Sequence, residues 1–249
     1  MAPPRSDIEY TEPFRKAFEQ IRTGLDRAVE EFNKIVEQVK DWAWLLGGAA
    51  LWWIKNNLDA VREGLQKIMD RARYAFDHEL PVLSLITTSF TWVDQVKGPV
   101  SELSFTTTEP RDQNLAKWTG DTAASYRDKA AKQKAAVDET VAKAEFISQW
   151  LFKIAQANVD YAVELAKVVT GLVGKLIQAG VAATTVIDIP WAIDTLAESI
   201  GDLIEDGLNN LLTVGGRFVA ALGDVRDLAT QVGDHSKLPG GRWPEAVRG

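Results

Sequence analysis

The sequence contains no cysteine. That excludes a disulfide framework, iron–sulfur clusters, thiolate zinc sites and a cysteine nucleophile. Histidine is nearly absent: His78 and His235 are the only two, which excludes a multi-histidine metal centre. Neither a metal nor a cofactor is expected. Surplus basic charge is lacking as well. Lys+Arg number 28 against 35 Asp+Glu, a net charge of −7, the wrong sign for a general nucleic-acid binder. Proline is scarce, 9 in 249 residues, and gathers at the ends and at a few break points. Long stretches without a backbone breaker point to helices. The start, Met1-Ala-Pro-Pro-Arg5, is not followed by an apolar core, so no cleavable secretory signal is expected. No uncharged apolar run reaches the roughly 18 residues of a membrane span.

What is present is the balance of an ordinary globular protein, 46% hydrophobic and 25% charged. Tryptophan is over-used, nine against four tyrosines. Large rings at that frequency suggest long packed interfaces. Four of them, Trp42, Trp44, Trp52 and Trp53, fall in the apolar run from Trp42 to Ile54, bounded by Asp41 and Lys55. The run is too short to span a bilayer unaided. Core packing is the favoured reading, with contact to a membrane or a partner as the alternative. The apolar region Val168 to Ile193 holds Lys175, Asp188 and Pro190, and reads as buried or interfacial helix.

Phe14, Phe18, Ile21, Leu25, Ala28, Phe32, Ile35, Val39 and Trp42 recur with alternating gaps of four and three, the seam of a coiled-coil-like helix. Thr11 is the expected N-cap, with Pro13 in the first turn. A second stripe, Leu58, Val61, Leu65, Ile68, Ala72 and Phe76, predicts a helix that stops before Pro81. Val82 to Val96 favours helix, with strand still open. Lys97-Gly-Pro99 reads as a break, and Ser101 to Asn114 as a loop or short hairpin. After Gly120, capped by Asp121 or Thr122, one stripe carries Tyr126, Ala130, Gln133, Val137, Val141, Ala144, Ile147, Leu151 and Ile154. That helix is expected to reach about Val169, roughly 70 Å at 1.5 Å per residue. Pro190 opens a further helix, ended by Gly215-Gly216, and a last one carries Phe218 to Val232.

The expected fold is therefore all-α: an elongated bundle of long antiparallel helices with a Trp-x-Gly hairpin turn and a short irregular insert. The expected organisation is N-terminal helices over 1–104 (about 12–45 and about 56–79), a loop and turn over 105–120, a long helix and C-terminal helices over 121–232, and a flexible tail over 233–249, in one continuous domain.

Catalytic motifs are missing. Gly171-Leu-Val-Gly-Lys175 resembles part of a phosphate loop, but the spacing is short and Leu176 stands where Ser or Thr would hold Mg²⁺. The acids Asp194, Glu198, Asp202, Glu205 and Asp206 read as the solvated face of an amphipathic helix rather than an acid–base pair. His78, between Asp77 and Glu79, suits a helix C-terminus. His235 is expected in solvent. No enzyme is expected.

Leu115-x-x-Trp118-Thr119-Gly120-x-x-Ala123-Ala124-x-Tyr126 is the informative segment. Gly120 permits a tight reversal that a Cβ would strain. Trp118 can lie across the opening of a helix pair, with Tyr126 beside it. The segment resembles the WXG-motif superfamily of type VII (ESX-like) secretion substrates, in its larger actinobacterial form with helices on both sides of the motif. The resemblance spans about 80 residues from about Trp92. It implies Trp118, Gly120 and Tyr126 as a partner or secretion motif, a helical partner protein or secretion-system component, and room for a homo-oligomer. It also implies secretion or envelope location by a signal-peptide-independent route, after a cytoplasmic stage. One departure stands out. The family's Tyr-x-x-x-Asp/Glu signal is missing at Tyr10, Tyr74, Tyr126 and Tyr161, so either a partner supplies it or this chain is not itself exported. No room for the C-terminal toxin domain of larger relatives is expected. Function is expected to be non-enzymatic protein–protein interaction. The alternative is a membrane-active secreted effector that inserts Trp42–Ile54 and Val168–Ile189.

Overall fold

The computed structural model describes residues 7–77, 79–108 and 117–244. Among these residues there is no strand, and the fold is an all-α helical bundle. The helices are α1 (Ile8–Trp42), α2 (Gly48–Asp77), α3 (Glu79–Thr91), α4 (Gly98–Thr108), α5 (Asp121–Ala182), α6 (Ile189–Gly223) and α7 (Val225–Gly233). A π-helical turn, Trp92–Lys97, joins α3 to α4, and a short 3-10 turn, Pro239–Gly241, follows α7. Two compact units are interleaved along the chain. One comprises Met1–Val82 and Gln156–Phe218, the other Leu83–Ala155 and Val219–Gly249.

The first unit is two helical hairpins packed together. On α1 the seam does what its spacing predicts: Phe14, Phe18, Ile21, Ala28, Phe32, Ile35 and Val39 are buried, while Leu25 and Trp42 are half-buried. Each fully buried large apolar side chain contributes about 1.5–3 kcal/mol. The α1–α2 pair is antiparallel: Phe18 meets Phe76 at 5.4 Å between ring centroids, and Arg62 lies over the Phe32 ring. The α5–α6 pair is antiparallel too, with Asp160 3.7 Å from Arg217 and Glu164 accepting from Asn210 at 3.3 Å. Between the hairpins, like-directed helices adjoin at glycines. A Cβ on Gly24 of α1 would meet Val169 Cγ1 at 2.5 Å. One on Gly64 of α2 would meet Ile204 Cδ1 at 2.5 Å and Ile200 Cγ2 at 2.9 Å. The missing side chains set the spacing there.

The second unit packs α3, the π turn and α4 against the first part of α5. Phe90 meets Phe152 edge-on at 6.2 Å, Lys97 pairs with Glu145 at 3.2 Å, and Ser104 donates to Asp138 at 3.4 Å. As one partner's number rises the other falls by the same count, so the pair is antiparallel and all three contacts are centred on Asp121. Ser148, buried, donates to the Ser89 carbonyl at 2.7 Å. At the far end of the chain, the Trp150 indole N–H donates to the Ala221 carbonyl at 2.9 Å, and Lys143 binds the carbonyls of Val232 and Asp234. These bonds satisfy carbonyls that helix ends leave without partners.

Several boundaries differ from the sequence expectation. Helix α1 begins at Ile8, with the Asp7 carbonyl accepting from Thr11 N–H at 2.9 Å, so Thr11 is not its cap and Pro13 lies inside it. Val82 to Val96 is helical as favoured, with a π-helical turn from Trp92. Pro81 sits in the first turn of α3, where its missing N–H costs nothing. Lys97-Gly-Pro99 is no break. Gly98 N–H bonds the Val93 carbonyl five residues back, a register shift that accommodates the donor Pro99 lacks. The stretch from Ser101 to Thr108 is helical rather than irregular, because packing on α5 overrides weak propensity. Gly215-Gly216 does not end α6, which continues to Gly223. Helix α5 passes the expected Val169 and runs 62 residues to Ala182.

Candidate functional site

The Trp-x-Gly turn lies directly before α5. Gly120 has φ +100°, a region that L side chains avoid. Its carbonyl accepts from Ala124 N–H at 3.0 Å. Gly120 is therefore the cap position, and Asp121 is the first helical residue rather than the cap. Nothing lies within 4 Å of where a Cβ on Gly120 would be, so backbone conformation, not space, demands glycine. Trp118 is half-buried and stacks on Tyr126 with 5.9 Å between ring centroids and a 50° tilt. Arg127 Nη2 donates to the Trp118 carbonyl at 2.7 Å. This clamp was not legible in the sequence, because nothing in the pattern distinguishes Arg127 from an ordinary exposed arginine.

Tyr126 is 47% exposed and does not join the buried stripe of α5; Ala123 fills the first turn instead. The ring pair is presented at the surface more than it is packed into a core. Leu115, the first residue of the motif, lies outside the described residues.

The four clustered tryptophans divide. Trp42 and Trp53 are half-buried, while Trp44 and Trp52 are 79% and 67% exposed. The α1–α2 turn that carries Trp44 lies at the same end of the first unit as the α5–α6 turn. Gln38 Nε2 donates to the Gly180 carbonyl at 3.5 Å, and Asn57 Nδ2 to Asp194 Oδ1 at 3.5 Å. The two turns at this end also carry exposed Leu45, Val181, Ile187 and, at the start of α6, Trp191. The last three were not expected to join the tryptophan run. For Val181 and Ile187 the signal was a second window without charge, residues 176–187, to match 42–54; Trp191 lies beyond it, past Asp188.

The apolar residues of α5 are spent differently. By length and composition α5 could cross a membrane. In this fold Leu165, Val169, Leu172 and Leu176 are fully buried. Gly171 to Lys175 lies within α5, so its N–H groups serve the helix and form no phosphate cradle. Asp194, Glu198, Asp202, Glu205 and Asp206 are all exposed on α6, and among the described residues no cluster of metal-ligating side chains occurs. His235 is exposed, and His78 lies outside the described residues. Burial raises the Tyr161 hydroxyl above its ordinary range, with Arg71 pulling it down and Tyr74 pushing it up. In comparisons with known proteins, no family model matches the chain, and neither a curated protein nor a solved structure does.

Proposed function

We propose that this chain is a non-enzymatic, type VII secretion-associated protein that works by binding a helical partner through its Trp-x-Gly hairpin. The observation that carries this reading is the register of the second unit. Three contacts between α3–α4 and α5 share a midpoint in residue number at Asp121, the residue that follows the Trp118–Gly120 turn, and this supports a hairpin whose arms are joined through that turn. The exposed ring of Tyr126 against the half-buried Trp118 supports recognition at that closed end, since aromatic rings are favoured anchors of interfaces. Under this reading the protein is made in the cytoplasm and leaves without a cleaved signal peptide, alone or carried by a partner that supplies the missing tyrosine signal.

The test pairs stability with export. Trp118→Phe keeps a ring against Tyr126, so its melting temperature should stay within a few degrees of wild type while secreted fraction or partner co-purification drops. A well-folded variant exported and bound at the wild-type level removes the recognition role.

A further inference from the structure

We propose that the end of the first unit formed by the α1–α2 and α5–α6 turns is a docking tip that enters the interface of a phospholipid bilayer. Trp44, Trp52, Trp191, Val181, Ile187 and Leu45 are exposed there, Ile187 by 88%. Scattered exposed apolar residues are normal, but six gathered at one end of a helical unit mark a candidate contact surface. Both chain segments that cross the tip, 42–54 and 176–187, are free of charge, and charged residues bound each of them: Asp41 and Lys55, Lys175 and Asp188. Such windows suit a medium that penalises charge.

The charges behind the tip complement lipid headgroups. Lys40, Lys55 and Lys175 have no ion-pair partner among the described residues. Lys175 also lines a groove of about 200 Å³ between α5 and α6, together with Gln178, Trp191, Thr195 and Ser199. An ammonium, two hydroxyls and an amide can hold a phosphate, and an indole face attracts a quaternary ammonium. Asp41 and Asp188 sit in the same collar as the lysines, which favours a zwitterionic phosphocholine surface over a strongly anionic one. Tryptophan is the residue that settles at this depth of a bilayer. Docking is peripheral: the buried face of α5 stays in the bundle, and only the two turns enter the lipid. The inference concerns different residues from the hairpin reading and stands or falls separately.

The experiment is co-sedimentation of the full chain with phosphatidylcholine vesicles, with brominated lipid as a fluorescence quencher. Wild type should bind and be quenched. Trp44→Ala and Trp191→Ala should each weaken partitioning roughly tenfold, about half the transfer energy of a fully buried large side chain. Lys175→Gln should weaken it several-fold, and Trp243→Ala, exposed in the other unit, should leave it unchanged. The replaced rings are exposed, so melting temperatures should hold. Absence of binding at millimolar lipid overturns the proposal, as does a Trp44→Ala/Trp191→Ala variant that binds like wild type. Self-association lost in that double variant, without vesicle binding, would make the tip an interface between copies instead. Release of trapped dye would overturn peripheral docking.

Discussion

At the scale of single residues, Gly120 and Tyr161 carry the most definite consequences. With φ +100° and open space around Gly120, Gly120→Ala should cost about 1–2 kcal/mol through backbone strain alone. Gly120→Asn should cost less, because asparagine tolerates positive φ; denaturant midpoints for the two variants check this. If the two cost the same, strain is not the cause. Burial holds the Tyr161 proton more tightly in the folded chain than in the unfolded one. Its contribution to stability is then intact below about pH 10 and is lost as pH rises through the higher folded value. Tyr161→Phe should shift the alkaline unfolding midpoint upward, read by circular dichroism alongside phenolate absorbance. Of the candidate site, the turn residues and the tryptophan run were legible, because φ-demanding glycine and dense aromatics leave marks in composition. The Arg127 clamp and the placement of the Trp44 turn at the same end of the first unit as the Ile187 turn were not. Each depends on residues brought together by folding, far apart in chain order or hidden among ordinary surface side chains.

At the scale of helices, glycine has opposite meanings within α6. A Cβ on Gly207 would lie 2.6 Å from Val168 Cγ2, on a stiff β-branched side chain, whereas Gly216 has nothing within 4 Å. Gly216→Ala should stabilise by about 0.5–1 kcal/mol through helix propensity. Gly207→Ala should destabilise, since overpacking of about 1–3 kcal/mol exceeds that gain. Thermal melts of the two variants should move in opposite directions, and Val168→Ala should couple to the Gly207 change but not to the Gly216 change. The same contrast explains what could be read of the helices beforehand. The seam from Phe14 to Val39 was plain, because one face of a helix buried along its length imposes a strict period. The ends were not. Gly215-Gly216 reads as a stop by propensity, and Ser101 to Thr108 as a loop. Packing on neighbouring helices, which one sequence does not display, decides both.

At the scale of the whole molecule, the two units are woven through one another in the chain. The buried faces of α1 and α2 meet residues 156–218, not their immediate sequence successors. A fragment of residues 1–104 should therefore fail to form a monomeric folded domain. It should show reduced helicity or self-associate, and regain a cooperative melt when residues 156–218 are supplied in trans. A fragment that melts cooperatively as a monomer would contradict that dependence. The interleaving also imposes an order on biosynthesis. At about 5–20 residues per second, the ribosome needs roughly seven to twenty-seven seconds to pass from Val82 to Phe218. Throughout that interval the nascent α1–α2 hairpin waits with the surfaces at Gly24, Ile35 and Gly64, which meet Val169, Gly180 and Ile200, uncovered. The half-made chain is thus a natural client for holding chaperones, which would find it unfinished during most of its own translation.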